Sequence, residues 1–288
     1  MPDLSYDAIE PGKEYGPYYY PLADRILPLL DATENQHPWY REKSPWGPPV
    51  APPSLLGVAC MRFIDWIAPI PPGVLHAKQD VEMLAALRHD RRPLAYGTFV
   101  EKYEKRGRRW CVFEARFRDE TGIIIGHGRT TLAFPEEVQT NDDPPATKPA
   151  TAERKPDLKP ITRTITQAQM TAYSEDTVNA ERGTSVHTYE ATAKKAGFER
   201  TLAPGMMAAD YLSELMTEAF GKDWFEYSTL SLAFTHPILC GDTITANARR
   251  AEDKREGAVL RRTYEVWAEN QDGATVAAGA ANSLIIPE

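Results

Sequence analysis

The chain has 288 residues, 42% hydrophobic and 26% charged, enough to bury a sizeable core in one large domain or two ordinary ones. A net charge of −8 argues against nucleic acid or an anionic membrane as a partner of the bulk surface. Three scattered cysteines, Cys60, Cys111 and Cys240, make neither a disulfide framework nor a metal spacing, and no secretory leader or bilayer-length apolar run is visible, so a cytoplasmic, membrane-free protein is expected.

Residues 1–20 are rich in Tyr, Pro and Gly and read as extended. Residues 22–30 form a short apolar helix, which runs into a polar loop ending in His37-Pro38. Ala51-Pro52-Pro53 then opens a buried helix, since the first N–H groups of a helix lack partners and tolerate proline. Beyond it the pattern changes to strands at 74–84, 95–105, 109–118 and 123–134, separated by glycine turns. Gly126 and Gly128 lie inside a strand pattern and are no phosphate loop. Residues 135–160 hold six prolines and almost nothing apolar, which marks a linker.

The second half replays the first at a period of roughly 140 to 150 residues. A strand at 161–165 and a short helix at 167–175 lead to a polar loop carrying His187, and an amphipathic segment spans 189–198. Ala203-Pro204-Gly205 opens a helix over 206–220 whose broad apolar face marks it as mostly buried. Strands follow at 230–234, 243–252, 258–270 and 275–287.

The run S-V-H-T-Y-E-A-T-A-K-K-A-G-F at 185–198, followed by A-P-G-M at 203–206, resembles the signature of MaoC-like (R)-specific enoyl-CoA hydratases and dehydratases of the two-domain type. The resemblance implies an α+β double hotdog, two antiparallel sheets each wrapped around a central helix, set side by side as one longer sheet with both helices on the same face. It divides the chain into a first hotdog at 1–134, non-catalytic, the linker at 135–160, and a second at 161–288 with the active loop. It also implies a hydro-lyase acting reversibly between a 2-enoyl-CoA and an (R)-3-hydroxyacyl-CoA. Coenzyme A would enter only as part of the substrate, with no metal or redox cofactor. A homodimer follows by analogy.

Within that resemblance His187 takes the place of the catalytic histidine, and Gly205 that of the glycine whose N–H polarises the thioester carbonyl, with Pro204 and Met206 beside it. The family's aspartate stands five residues before its histidine, where this chain has Arg182. Counted from the preceding helix, the aspartate would fall near Asn179. Asn179 is the positional substitute and could orient water; Glu181 or Asp176 could titrate if the loop turned them inward. Hydration needs a base, an acid and donors for the thioester oxygen, and an imidazole with a pKa of about 6.5 suits either proton task.

Blander readings stand beside these. His187 could simply cap the following helix. His37 reads as a relic or loop anchor, and His236-Pro237 as a strand-end feature. Arg249, Arg250, Arg261 and Arg262 could meet CoA phosphates or lie on a solvated sheet. Trp39, Trp46, Phe63 and Trp66 suit a large acyl group or a core equally. The alternatives to a hydratase are a degenerate acyl-CoA-binding hotdog and a thioesterase.

Overall fold

The computed structural model describes residues 1–135, 154–175 and 177–285. Most of the expected linker, and Asp176, lie outside these residues.

Both halves follow one order. The first runs β1 (Glu14–Tyr19), α1 (Leu22–Ala32), α2 (Pro38–Arg41), α3 (Leu55–Ile67), β2 (Leu75–Met83), β3 (Leu94–Lys105), β4 (Arg108–Arg118) and β5 (Ile124–Ala133). The second runs β6 (Ile161–Thr164), α4 (Gln167–Ser174), α5 (Val178–Glu181), α6 (Glu190–Lys195), α7 (Gly205–Phe220), a 3-10 turn Gly221–Phe225, then β7 (Ser228–Phe234), β8 (Thr243–Glu256), β9 (Val259–Glu269) and β10 (Thr275–Ile285). The extended stretch near the start is therefore a strand, paired antiparallel with β3. The amphipathic segment shrinks to α6, in which Ala193 is the buried residue.

The two expected sheets lie edge to edge and are continuous as one longer sheet. The strands form one ten-stranded antiparallel sheet in the order β1-β3-β4-β5-β2-β7-β10-β9-β8-β6. The order is a palindrome about the β2–β7 pair, which runs in register from Lys78 against Ala233 to Met83 against Ser228. Separate sheets would leave each of these strands an unpaired row of N–H and C=O groups; pairing them satisfies both.

Each central helix packs on its own half of the sheet, α3 on β5, β4 and β2 and α7 on β8, β10, β9 and β7. On β4 the alternate residues Cys111, Phe113, Ala115 and Phe117 are all buried, as period-two patterning requires. Phe113 meets Phe63 of α3 edge-on at 5.3 Å. Helix and sheet approach closely here: a Cβ at Gly128 would overlap Cys60 Sγ, which explains the strand glycine. All three cysteines are free thiols.

Candidate active site between the two halves

α7 starts bare. Pro204 stands at its N-cap with φ −55° and ψ 127°, and no side chain caps the helix. Gly205 faces the ring of Phe234, 3.0 Å from where a Cβ would sit, so a side chain there would press on that ring. The first N–H groups of such a helix have no intrahelical acceptor and carry its positive end.

The preceding segment is held by side-chain hydrogen bonds. A capping box between Thr166 and Gln169 starts α4. Gln167 Nε2 donates to His187 O at 2.9 Å, and the His187 N–H donates to Ser185 Oγ at 3.1 Å. His187 Nδ1 lies 2.7 Å from Leu202 O, so Nδ1 carries the proton and Nε2 is left basic. Burial lowers the ring's pKa below the ordinary histidine value; the Leu202 carbonyl opposes this and the Arg62 charge adds to it.

His187 opens on a cavity of about 370 Å³, also lined by Pro204, Gly205 and Met206. The first half supplies the opposite wall through Val58, Met61, Arg62 and Asp65 of α3 and residues 70–76. Asn179 lines the cavity, but its amide is engaged: Nδ2 donates to Ile70 O at 2.7 Å and Asp65 Oδ1 at 3.3 Å, and Oδ1 accepts from Thr184 Oγ1 at 3.2 Å. Glu181 ends the short α5, is exposed, and is not among the lining residues.

Four lining residues carried no functional reading in the sequence. Arg62 and Asp65 are buried at 8% and 5% exposure. His236, read as a strand-end feature, lines the cavity with Nδ1 2.7 Å from Thr275 O. His76, at the start of β2, has Nε2 3.1 Å from Gln79 Oε1. The Gln79 amide nitrogen donates to Asp80 O and Arg129 O, and its oxygen accepts from Thr130, so His76 donates through Nε2. Burial pushes the His76 ring down to about 4, so it is neutral near pH 7. A histidine opening a strand gives no sign of this, because it is the β2–β7 pairing that sets it against Phe234, ring centroids 4.7 Å apart, at the cavity wall.

Other candidates sit elsewhere. His37 caps α2, its Nδ1 accepting from the Trp39 N–H at 3.3 Å. Arg249 pairs with Glu265 at 2.6 Å, and Arg262 chelates Asp253 with two bonds of 2.9 Å. Phe63, Trp39, Trp46 and Trp66 are not lining residues of the cavity. Among the described residues no cluster of three or more His, Cys, Asp or Glu could hold a metal, and no helix is long and apolar enough to cross a membrane.

Two mirrored halves sharing one sheet, each with a buried central helix, define a double-hotdog protein with a cavity at the junction. Residues 147–270, within the second half of this chain, match the family model of the MaoC like domain. No curated protein matches the chain. A MaoC domain protein dehydratase from Chloroflexus aurantiacus superposes with a TM-score of 0.73 at 9% identity, covering 100% of this chain and 98% of that one. A MaoC-like dehydratase from Phytophthora capsici gives 0.71 at 16%, covering 98% of each. A Mycobacterium tuberculosis protein described as a double hotdog gives 0.64 at 11%, covering 98% and 99%. Identities this low speak for the fold.

Proposed function

We propose that the protein is a hydro-lyase that reversibly hydrates a 2-enoyl-CoA to the (R)-3-hydroxyacyl-CoA. One observation carries the reading: a basic imidazole Nε2 and the uncapped start of α7 line the same largely apolar cavity. In the hydration direction, His187 Nε2 takes a proton from water as its oxygen bonds to C3. The C2–C3 π pair moves toward the thioester oxygen, where the N–H groups of Gly205 and Met206 hold the negative charge. The enolate collapses as the imidazolium returns the proton to C2. His187 carries both transfers in this scheme, Asn179 holds the loop, and Glu181 takes no part. The acyl chain runs along Val58 and Met61 of α3. The chemistry calls for no metal or redox cofactor; CoA enters as part of the substrate. We further propose a homodimer working in the cytoplasm.

Crotonyl-CoA and longer or branched enoyl-CoAs, followed by loss of the conjugated absorbance, test the reading. Hydration that His187→Ala abolishes supports it. Arg182 in the aspartate's place favours a second reading, acyl-CoA binding without catalysis. Saturable binding without turnover supports that one, and release of free thiol supports a thioesterase.

A further inference from the structure

The second-half segment leading to His187 is tied to the first half at the end of α4 and at the start of α5. α4 ends against two guanidinium groups. Arg62 Nη2 donates to Tyr173 O at 2.7 Å, and Arg25 Nη2 to Ala172 O at 2.8 Å. α5 begins on a carboxylate: the Val178 N–H donates to Asp65 Oδ2 at 3.0 Å. Cations at a carbonyl end and an anion at an N–H end are the favourable arrangement. Asp65 Oδ1 also accepts from the Ile70 N–H at 3.1 Å and from Asn179 Nδ2. Arg62 and Asp65 lie on one face of α3, three residues apart, and both reach the cavity wall.

We propose that Asp65 and Arg62 are positioning residues, through which the first half fixes Tyr173 and residues 177–187 and so aims His187. This rests on His187 being the group that acts. Asp65 accepts from three N–H groups, two of them backbone, and is therefore an anchor for the loop. Asn179 is a tie in this scheme, with both ends of its amide engaged.

The decisive variant is Asn179→Asp. It sets a second carboxylate against Asp65, where donor and acceptor now stand 3.3 Å apart. The proposal expects kcat to fall about tenfold or more, the scale of a lost charged hydrogen bond. Were Asn179 a weakened catalytic acid, the same change would raise activity. Asp65→Asn is expected to act alike, with amide hydrogen exchange over 177–189 faster by about tenfold or more. Arg62→Gln should lower kcat more than it raises KM, with partial rescue in Arg62→Lys. It should also raise the acidic limb of the pH–rate profile, since Arg62 disfavours the imidazolium of His187. The other charged or titratable groups lining that cavity are Asp65, His76, Tyr173 and His236.

A more active Asn179→Asp enzyme overturns the proposal, and so does unchanged exchange over 177–189 in Asp65→Asn. If Asp65→Asn does not fold, Asn179→Ala takes its place, because it leaves Asp65 its backbone donors. Exchange is read without substrate. Faster exchange in a protein that hydrates nothing would sink the hydratase reading and leave the loop anchor standing.

Discussion

The same frame surrounds two different interiors. Beside α7, the His187 loop faces a cavity whose far wall is α3. Beside α3, the corresponding space is packed with rings. Tyr40 is fully buried, and its hydroxyl lies 2.5 Å from Thr217 Oγ1 of α7. Thr217 stands as far from Ala203 as Asp65 does from Ala51, so phenol meets hydroxyl where the other half has a carboxylate at the cavity. Phe225 closes the cluster, 6.0 Å from Tyr40, 5.9 Å from Trp39 and 5.1 Å from Trp46. The two histidines differ accordingly. His37 spends Nδ1 as an acceptor in capping its own helix, whereas His187 donates from Nδ1 and keeps Nε2 basic. Duplication supplied two equal frames; side-chain volume and one tautomer separate a site from a core.

That contrast can be broken most severely at His187. Under the hydratase reading, His187→Ala should lower kcat/KM by about 10²- to 10⁴-fold with unchanged circular dichroism, as loss of an acid–base group does. His37→Ala should leave kcat/KM within about twofold and cost about 1 kcal/mol as a lost cap, by denaturant titration. Equal losses from both histidines would abolish the distinction.

The filled side predicts stability, not rate. Tyr40→Ala should cost about 3–5 kcal/mol in denaturant unfolding, the range for emptying a buried aromatic site. Tyr40→Phe removes only the bond to Thr217 and should cost about 1–2 kcal/mol.

Asp210 of α7 sharpens the comparison at the junction. It accepts from Tyr173 Oη at 2.7 Å, and burial pushes it up to about 7 against the pull of the Ser54 and Tyr173 hydroxyls. A raised carboxyl stabilises the fold as the neutral acid. That contribution is complete below its unfolded pKa of about 4 and is lost as the pH rises through about 7, at roughly 1.4 kcal/mol per unit between them. Asp210→Asn should flatten this slope, so its stability relative to wild type should rise with pH across that window. Parallel pH–stability curves would refute the assignment. An effect as small as the lost His37 cap is expected at the α4 capping box, where Thr166→Ala should cost about 1 kcal/mol.

Much of the architecture was written in local pattern. Period-two runs delimited the strands, Pro and Gly set the helix starts, and the repeated order announced two like halves, because propensity and turn chemistry act over a few residues. The A-P-G-M step marked the helix start that lines the cavity, and the loop before it marked His187. Only the tertiary structure decided that β2 and β7 are the strands that join the halves, and in which register, since edge pairing between distant strands leaves no local trace. It also decided that Asn179 is tied to Asp65, that Glu181 faces solvent, and that Arg62 and His76 of the other half complete the wall. Those contacts join residues about a hundred positions apart, and chain spacing carries no information about which distant side chains share a cavity.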